Sequence, residues 1–280
     1  MFSLTDFLRR TRQPAIMGIV NCTGDSFSEG AASAPDSAVE RALMLIDHGA
    51  DLLDLGGEST RPGSAPVTPA EEIDRIIPVL AEIKRLHPET VCSIDTRNAA
   101  TARAALEAGA EIINDVSMLN NAPETADLTA KYGAGLILSH SRGTPQTMMA
   151  PEYCQYPDGV AAAVKRELSA AFAQAVAAGN KAENILLDPG FGFSKNAQQC
   201  WELLHDLAAV APLSQMLIGV SRKTFLGSLT GEKIPAQRGS ETLTAEIILA
   251  LQGVAMIRTH AVKDLYKALM VLTQNGDLKS

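Results

Sequence analysis

The chain predicts an α/β fold, a single (β/α)8 TIM barrel, and three observations carry that prediction. Eight short apolar or β-branched runs alternate with segments of helical character. Several helical segments end on glycine just before the next run. Every run leads, at its carboxyl end, into polar or ionisable residues. Alternation at this spacing implies parallel strands joined by right-handed crossovers. Eight such units in 280 residues suit a closed barrel, typically of about 250 residues, better than an open sheet. No linker, low-complexity tract or repeat beyond the βα period interrupts residues 1–280, so one domain with a core of about 15–275 is expected.

The expected strands are Ala15–Val20, Asp51–Leu55, Thr90–Ile94, Glu111–Ile113, Gly135–Leu138, Asn184–Leu187, Met216–Val220 and Val254–Ile257. They are short and rich in Ile, Leu and Val, as strands covered on both faces are. The expected helices are Pro35–Asp47, Pro69–Leu86, Ala99–Glu107, Pro123–Lys131, Gly159–Ala178, Ala197–Val210, Ser240–Leu251 and Val262–Gln274. Pro123 would occupy the first helical position, where a missing N–H costs nothing. Gly49, Gly109, Gly133, Gly179 and Gly253 read as C-caps.

Composition narrows the function. A net charge of −8 disfavours a nucleic-acid partner held by broad electrostatics, so an anionic ligand needs a local basic cluster. The four cysteines, Cys22, Cys92, Cys154 and Cys200, are far apart and form no C-x-x-C pair, as in a reducing cytoplasm. The first residues lack a secretory apolar core, and no run approaches the roughly 20 apolar residues of a membrane span. A soluble, cytoplasmic protein is expected, with no membrane partner.

In this fold the carboxyl ends of the strands form the working rim. They lead to Asn21, to Gly56-Gly57-Glu58-Ser59-Thr60-Arg61, to Asp95, and to Asn114-Asp115. The later ones lead to Ser139-His140, Asp188, Ser221-Arg222-Lys223 and Arg258-Thr259-His260. Asp188, at the head of Asp-Pro-Gly-Phe-Gly-Phe, either caps the next helix or belongs to a ligand site, because a buried carboxylate needs partners. Arg222, Lys223, Arg258 and His260 lie on the loops after strands seven and eight, where such barrels commonly hold phosphate. Asn21, beside them, either caps its strand or ligates a Mg2+ carried in by a diphosphate. Asp95, Asn114 and Asp188 together suit a flat heterocycle offering several N–H donors; an acid/base pair is the competing role. No H-E-x-x-H, G-x-S-x-G or G-x-x-x-x-G-K-[ST] motif is present.

The motifs, taken in order, resemble the dihydropteroate synthases of the wider pterin-binding barrel family. They are M-G-I-V-N at 17–21, D-S-F-S at 25–28, D-L-G-G-E-S-T-R-P-G at 54–63 and S-I-D-T at 93–96. I-I-N-D at 112–115, D-P-G-F-G-F at 188–193, S-R-K at 221–223 and I-R-T-H at 257–260 complete the set. The resemblance spans roughly residues 16–271. It implies condensation of 7,8-dihydropterin-6-ylmethyl diphosphate with p-aminobenzoate, a folate-synthesis step and a sulfonamide target, with Mg2+ and a homodimer. By that resemblance Asp95, Asn114, Asp188 and Lys223 hold the pterin. Asn21, Arg258 and His260 hold diphosphate and Mg2+, with Asn21 the metal contact. Thr60, Arg61, Pro62, Phe193 and Ser221 line the p-aminobenzoate side, and Asp25 and Phe27 lie on the first of two loops that order over the site. The catalytic set is Asp95, Asp188, Lys223 and Arg258.

Two departures from the family pattern stand out. Gly24 replaces a proline of the first loop, and His140-Ser141-Arg142-Gly143 replaces a common H-M-x-G, adding a cation and removing an apolar wall. Two rival readings follow: a non-catalytic or altered-substrate pterin-binding paralogue, and a methyltetrahydrofolate–corrinoid methyltransferase. The second has no use for the cationic corner.

Overall fold

All eight expected strands form, and their side chains divide by parity between an inner and an outer core. The computed structural model describes residues 2–23, 34–60 and 62–278. The strands are β1 (Ala15–Asn21), β2 (Leu52–Gly56), β3 (Val91–Asp95), β4 (Ile112–Asp115), β5 (Gly135–Ser139), β6 (Ile185–Asp188), β7 (Leu217–Ile218) and β8 (Met256–Thr259). They pair in parallel, in the order β6-β5-β4-β3-β2-β1-β8-β7. A parallel bridge between Leu187 and Met216 joins the two ends of this sheet into a nearly closed barrel.

Successive strand side chains point to opposite faces. Met17, Leu52, Ile112, Ile137, Leu186, Leu217 and Met256 accordingly share the inner cluster. Ile16, Leu53, Ile113, Leu136, Leu138 and Ile257 join the larger cluster under the helices. Full burial of each such side chain is worth roughly 1.5–3 kcal/mol. Two residues further along the strands, the inner positions turn polar: Leu52 gives way to Asp54, Ile112 to Asn114, Ile137 to Ser139, Leu186 to Asp188 and Met256 to Arg258. The barrel interior thus changes from hydrocarbon to hydrogen-bonding groups at its carboxyl end.

Ten α-helices occur among the described residues: α1 (Leu4–Arg10), α2 (Ala34–Asp47), α3 (Pro69–Leu86), α4 (Ala99–Glu107), α5 (Thr125–Tyr132), α6 (Val160–Ala177), α7 (Ala197–His205), α8 (Thr224–Thr230), α9 (Gly239–Gln252) and α10 (Val262–Asn275). The five expected glycine C-caps all have positive φ, from +63° to +100°. Helix α1 is not anticipated by the strand–helix count. Its Leu4 and Phe7 close the amino end of the inner core, and Ser3 caps it by accepting from the Asp6 N–H. Helix α8 is a second addition. Gly227 lowers its intrinsic propensity, but Phe225 packs against Phe191 and Trp201 and holds it. Pro123 does not start α5: it lies in a turn before Thr125, its carbonyl accepting from the Ala126 N–H. Helix α7 stops at His205, and a single 3-10 turn, Leu207–Ala209, replaces its expected last turn. No described helix is long and apolar enough to cross a membrane.

Candidate active site

Asp54, on β2, is the centre of the polar mouth. It is fully buried, and its Oδ2 accepts from Arg258 Nε at 2.6 Å and from Asn114 Nδ2 at 3.1 Å. The same guanidinium reaches Asp95 Oδ2 through Nη2 at 2.7 Å. On the other side of Asn114, Ser139 Oγ donates to Asn114 Oδ1 at 3.4 Å or to Asp188 Oδ2 at 3.3 Å. Strand register produces this arrangement, since Asp95 stands opposite Asn114, and Ser139 opposite Asp188. Among the described residues, Asp54 Oδ1 and Asp95 Oδ1 are buried without a hydrogen-bond partner. They are acceptors suited to a ligand that brings N–H groups.

Burial pushes the Asp95 carboxyl well above the usual range, with Arg258 pulling it back and Asp54 and Glu72 adding to the rise. Burial also raises Asp188, against the Gly190 N–H, which donates to its Oδ1 at 2.8 Å, and against Lys223 and Arg258. Lys223 is pushed down to about 8, chiefly by burial, while Asp188 favours its charge. Burial opposes the Arg258 charge too, but Asp54 and Asp95 outweigh it and raise that pKa. The mouth therefore holds three carboxyls and two cations, an acceptor-rich cup with positive charge alongside.

The cationic residues do not form one cluster. Arg258 is ion-paired to Asp54 and Asp95, and Lys223 lies over the Phe193 ring, Nζ 4.1 Å from its centroid. His260 instead meets Ser221, with Nδ1 3.0 Å and its N–H 3.2 Å from Ser221 Oγ, and its carbonyl accepts from Arg41. Asn21 ends β1 opposite Gly56 with an exposed side chain. Thr60 and Pro62 lie on the segment after β2, which is tied to the loop after β5 by Gly63 N–H to the Pro145 carbonyl at 2.8 Å. Asp25, Phe27, the Gly24 substitution and Arg61 lie outside the described residues.

Asp188 does not cap the following helix. Asn196 does so, in a reciprocal capping box with Gln199. The turn between them is tight: Gly190 has φ +69°, and a Cβ there would lie 1.9 Å from the His140 carbonyl oxygen. Gly190→Ala is therefore expected to destabilise the protein by about 2–3 kcal/mol, through strain and displaced backbone. Urea midpoints compared with wild type measure this.

Three groups matter that strand-end reading does not single out. Asp54 is one; its signal is its phase with Leu52 on an inner strand face. The others are Lys195 and Glu167, which face the loops after β6 and β5. Arg142 does not add a free cation to the rim, because its guanidinium pairs with Glu167.

Residues 17–260 match the family described as pterin binding enzyme. The chain is 40% identical over 262 residues to the dihydropteroate synthase of Escherichia coli K12, covering 92% of this chain and 90% of that one. The dihydropteroate synthase of Xanthomonas albilineans, solved with 4-aminobenzoic acid, superposes with a TM-score of 0.86 at 37% identity, covering 96% and 94%. The same enzyme solved with 7,8-dihydropteroate gives a TM-score of 0.84 at 35% identity, covering 94% of each chain.

Proposed function

This chain belongs to the pterin-binding enzymes, in the dihydropteroate synthase family, and we propose that its barrel mouth performs that family's condensation. The substrates are 7,8-dihydropterin-6-ylmethyl diphosphate and p-aminobenzoate; the products are 7,8-dihydropteroate and diphosphate. The observation that carries this reading is the pair of buried, unpartnered acceptors, Asp54 Oδ1 and Asp95 Oδ1, inside a cup that also holds Asn114, Asp188, Arg258 and Lys223.

In this reading Asp95, Asn114 and Asp188 accept the ring N–H groups of the pterin, and Lys223 sits at its edge. Arg258 and His260 face the diphosphate, where fixed positive charge favours departure of the anion. The methylene C–O bond breaks and its electron pair leaves with diphosphate. The cation left behind is delocalised into the pterin, and the amine lone pair of p-aminobenzoate then forms the C–N bond and sheds a proton to solvent. Phe193, Ser221, Thr60 and Pro62 line the amine's side.

The reading includes Mg2+. Among the described residues no group of three or more His, Cys, Asp or Glu could hold a metal. The cation expected is a hard one that arrives with diphosphate and keeps most of its waters. Asn21 would contact it through its amide oxygen, and the ion would neutralise the leaving group. Purified protein with both substrates and Mg2+ is expected to release dihydropteroate and diphosphate together. Chelation by EDTA is expected to lower that rate by about tenfold or more. Diphosphate binding without product would favour the non-catalytic paralogue.

Ile248 and Leu251 on α9 and Met270 and Val271 on the adjacent α10 are exposed. Exposed apolar side chains on two adjacent helices support a homodimer, and a monomer mass in sedimentation at micromolar concentration would remove it. Four free cysteines support a reducing cytoplasm.

A further inference from the structure

Behind the mouth, among residues given no substrate in this reading, a chain of polar and charged groups runs from a buried lysine to a partly exposed arginine. Lys195 is 2% exposed. Its Nζ donates to the carbonyls of Gly190 at 3.1 Å and Phe193 at 3.0 Å, and lies 2.9 Å from His140 Nδ1. His140 Nε2 is 3.0 Å from Glu167 Oε2. Glu167 takes the Arg142 guanidinium on both carboxylate oxygens. Arg142 lies 4.2 Å over the Tyr156 ring, and the Tyr156 hydroxyl donates to the Ser194 carbonyl at 2.9 Å.

Donor counting fixes the protonation that satisfies this chain. An ammonium has three N–H donors, and Lys195 meets three acceptors. One of them is His140 Nδ1, so the neutral imidazole carries its proton on Nε2 and donates it to Glu167. A neutral amine offers two donors only. His140 would then either set a lone pair against the amine or, with its proton moved to Nδ1, set one against the Glu167 carboxylate. One hydrogen bond is lost either way.

The two carbonyls held by Lys195 belong to the turn that follows Asp188. Within that turn the Gly190 N–H holds Asp188 and the Phe193 ring covers Lys223. We propose that Lys195 is a positioning residue: its ammonium, wired through His140 and Glu167 to Arg142, fixes the Gly190–Phe193 turn and with it the face that receives the amine substrate. The assignment of that face rests on the function proposed above; the fixing of the turn does not.

The charges around Lys195 make the device sensitive to pH near neutrality. Burial pushes Lys195 down to about 7; Arg142 adds to this, while Asp188 and Glu167 oppose it. His140 is pushed down to about 4 by burial and by Lys195, so it stays neutral through this range. The other groups nearby, Cys154, Cys200 and Tyr156, are all raised, chiefly by burial, and remain uncharged there. The ammonium is therefore present below about pH 7 and lost above it, and the turn loosens as pH rises.

The single tryptophan reports on the turn without substrate. Trp201 stands edge-on to Phe225 at 5.1 Å, and Phe225 stacks on Phe191, inside the turn, at 5.7 Å. The experiment follows Trp201 emission of the full chain from about pH 6 to about pH 9, and the KM for p-aminobenzoate over the same range. Wild type is expected to show an emission transition near neutrality, with KM rising by roughly tenfold and kcat changing less. Glu167→Gln removes a charge that favours the ammonium and moves the midpoint down. Arg142→Met removes one that disfavours it and moves the midpoint up. Lys195→Met abolishes the transition and keeps KM high throughout. Should that last variant fail to fold, the opposed shifts of the other two, whose sites are partly exposed, still decide. No transition in wild type, or one unmoved by both Glu167→Gln and Arg142→Met, overturns the proposal. Absence of dihydropteroate in wild type overturns the synthase reading alone, because the emission titration needs no substrate.

Discussion

Asp95→Asn is expected to weaken binding of the dihydropterin diphosphate by about a thousandfold, while leaving p-aminobenzoate affinity near that of wild type. Asp95 is an acceptor on both oxygens: Oδ2 takes Arg258, and Oδ1 is buried without a partner among the described residues. Asparagine offers one acceptor and one NH2 group. If its oxygen stays on Arg258, the NH2 faces the incoming ring donors; if it turns to the ligand, NH2 faces the guanidinium. Losing a charge-assisted bond and leaving a buried donor unsatisfied together cost about 4 kcal/mol, close to three powers of ten. The carboxyl of Asp95 is raised by burial, so its acceptor form is lost as pH falls through that raised value. Wild-type affinity should therefore weaken on acidification, and the variant's should not. Calorimetric titration at two pH values reads both effects, and unchanged affinity would remove Asp95 from the pterin side.

The barrel was legible because its strands are apolar on both faces and each ends where polarity begins. Asp95, Asn114, Asp188 and Arg258 could be picked from strand ends for the same reason. Asp54 could not, since it stands two residues before the end of β2. Parity was the signal: Leu52 and Asp54 share the inward face, just as Ile112 and Asn114 do. Sequence order also suggested that Arg222, Lys223, Arg258 and His260 form one cationic corner. Side-chain reach decided otherwise, because the long Arg258 stem carries its charge across the mouth to two carboxyls, whereas His260 turns to Ser221. Arg142 shows the same limit. It reads as an added rim cation until Glu167, twenty-five residues away, is seen to hold it. Helix α1 is silent in the strand–helix alternation because a seven-residue helix preceding β1 does not break it; its capping serine and two inward side chains are the marks it leaves.

Arg258→Ala is expected to damage stability and catalysis through different atoms, and pH separates the two. The guanidinium bridges Asp54 and Asp95, both buried. Its removal leaves those carboxylates with Lys223 as the remaining nearby cation of the cup. Breaking a buried ion pair from one side typically costs about 3–5 kcal/mol, because an uncompensated charge stays behind. Asp95, already raised by burial, loses the cation that pulls it back and rises further. The folded variant then binds more protons than the unfolded chain between the ordinary carboxylate range and that raised value. Its stability falls as pH rises through this window and returns on acidification. Urea midpoints should consequently differ from wild type much more at about pH 8 than at about pH 5. Asp54→Asn in the same background removes one buried charge and should restore part of the stability. It should not restore turnover, because the departing diphosphate still lacks its guanidinium. An equal loss at both pH values would instead assign the effect to the packing of the arginine stem, and recovery of turnover in the double variant would place Arg258 outside the chemistry.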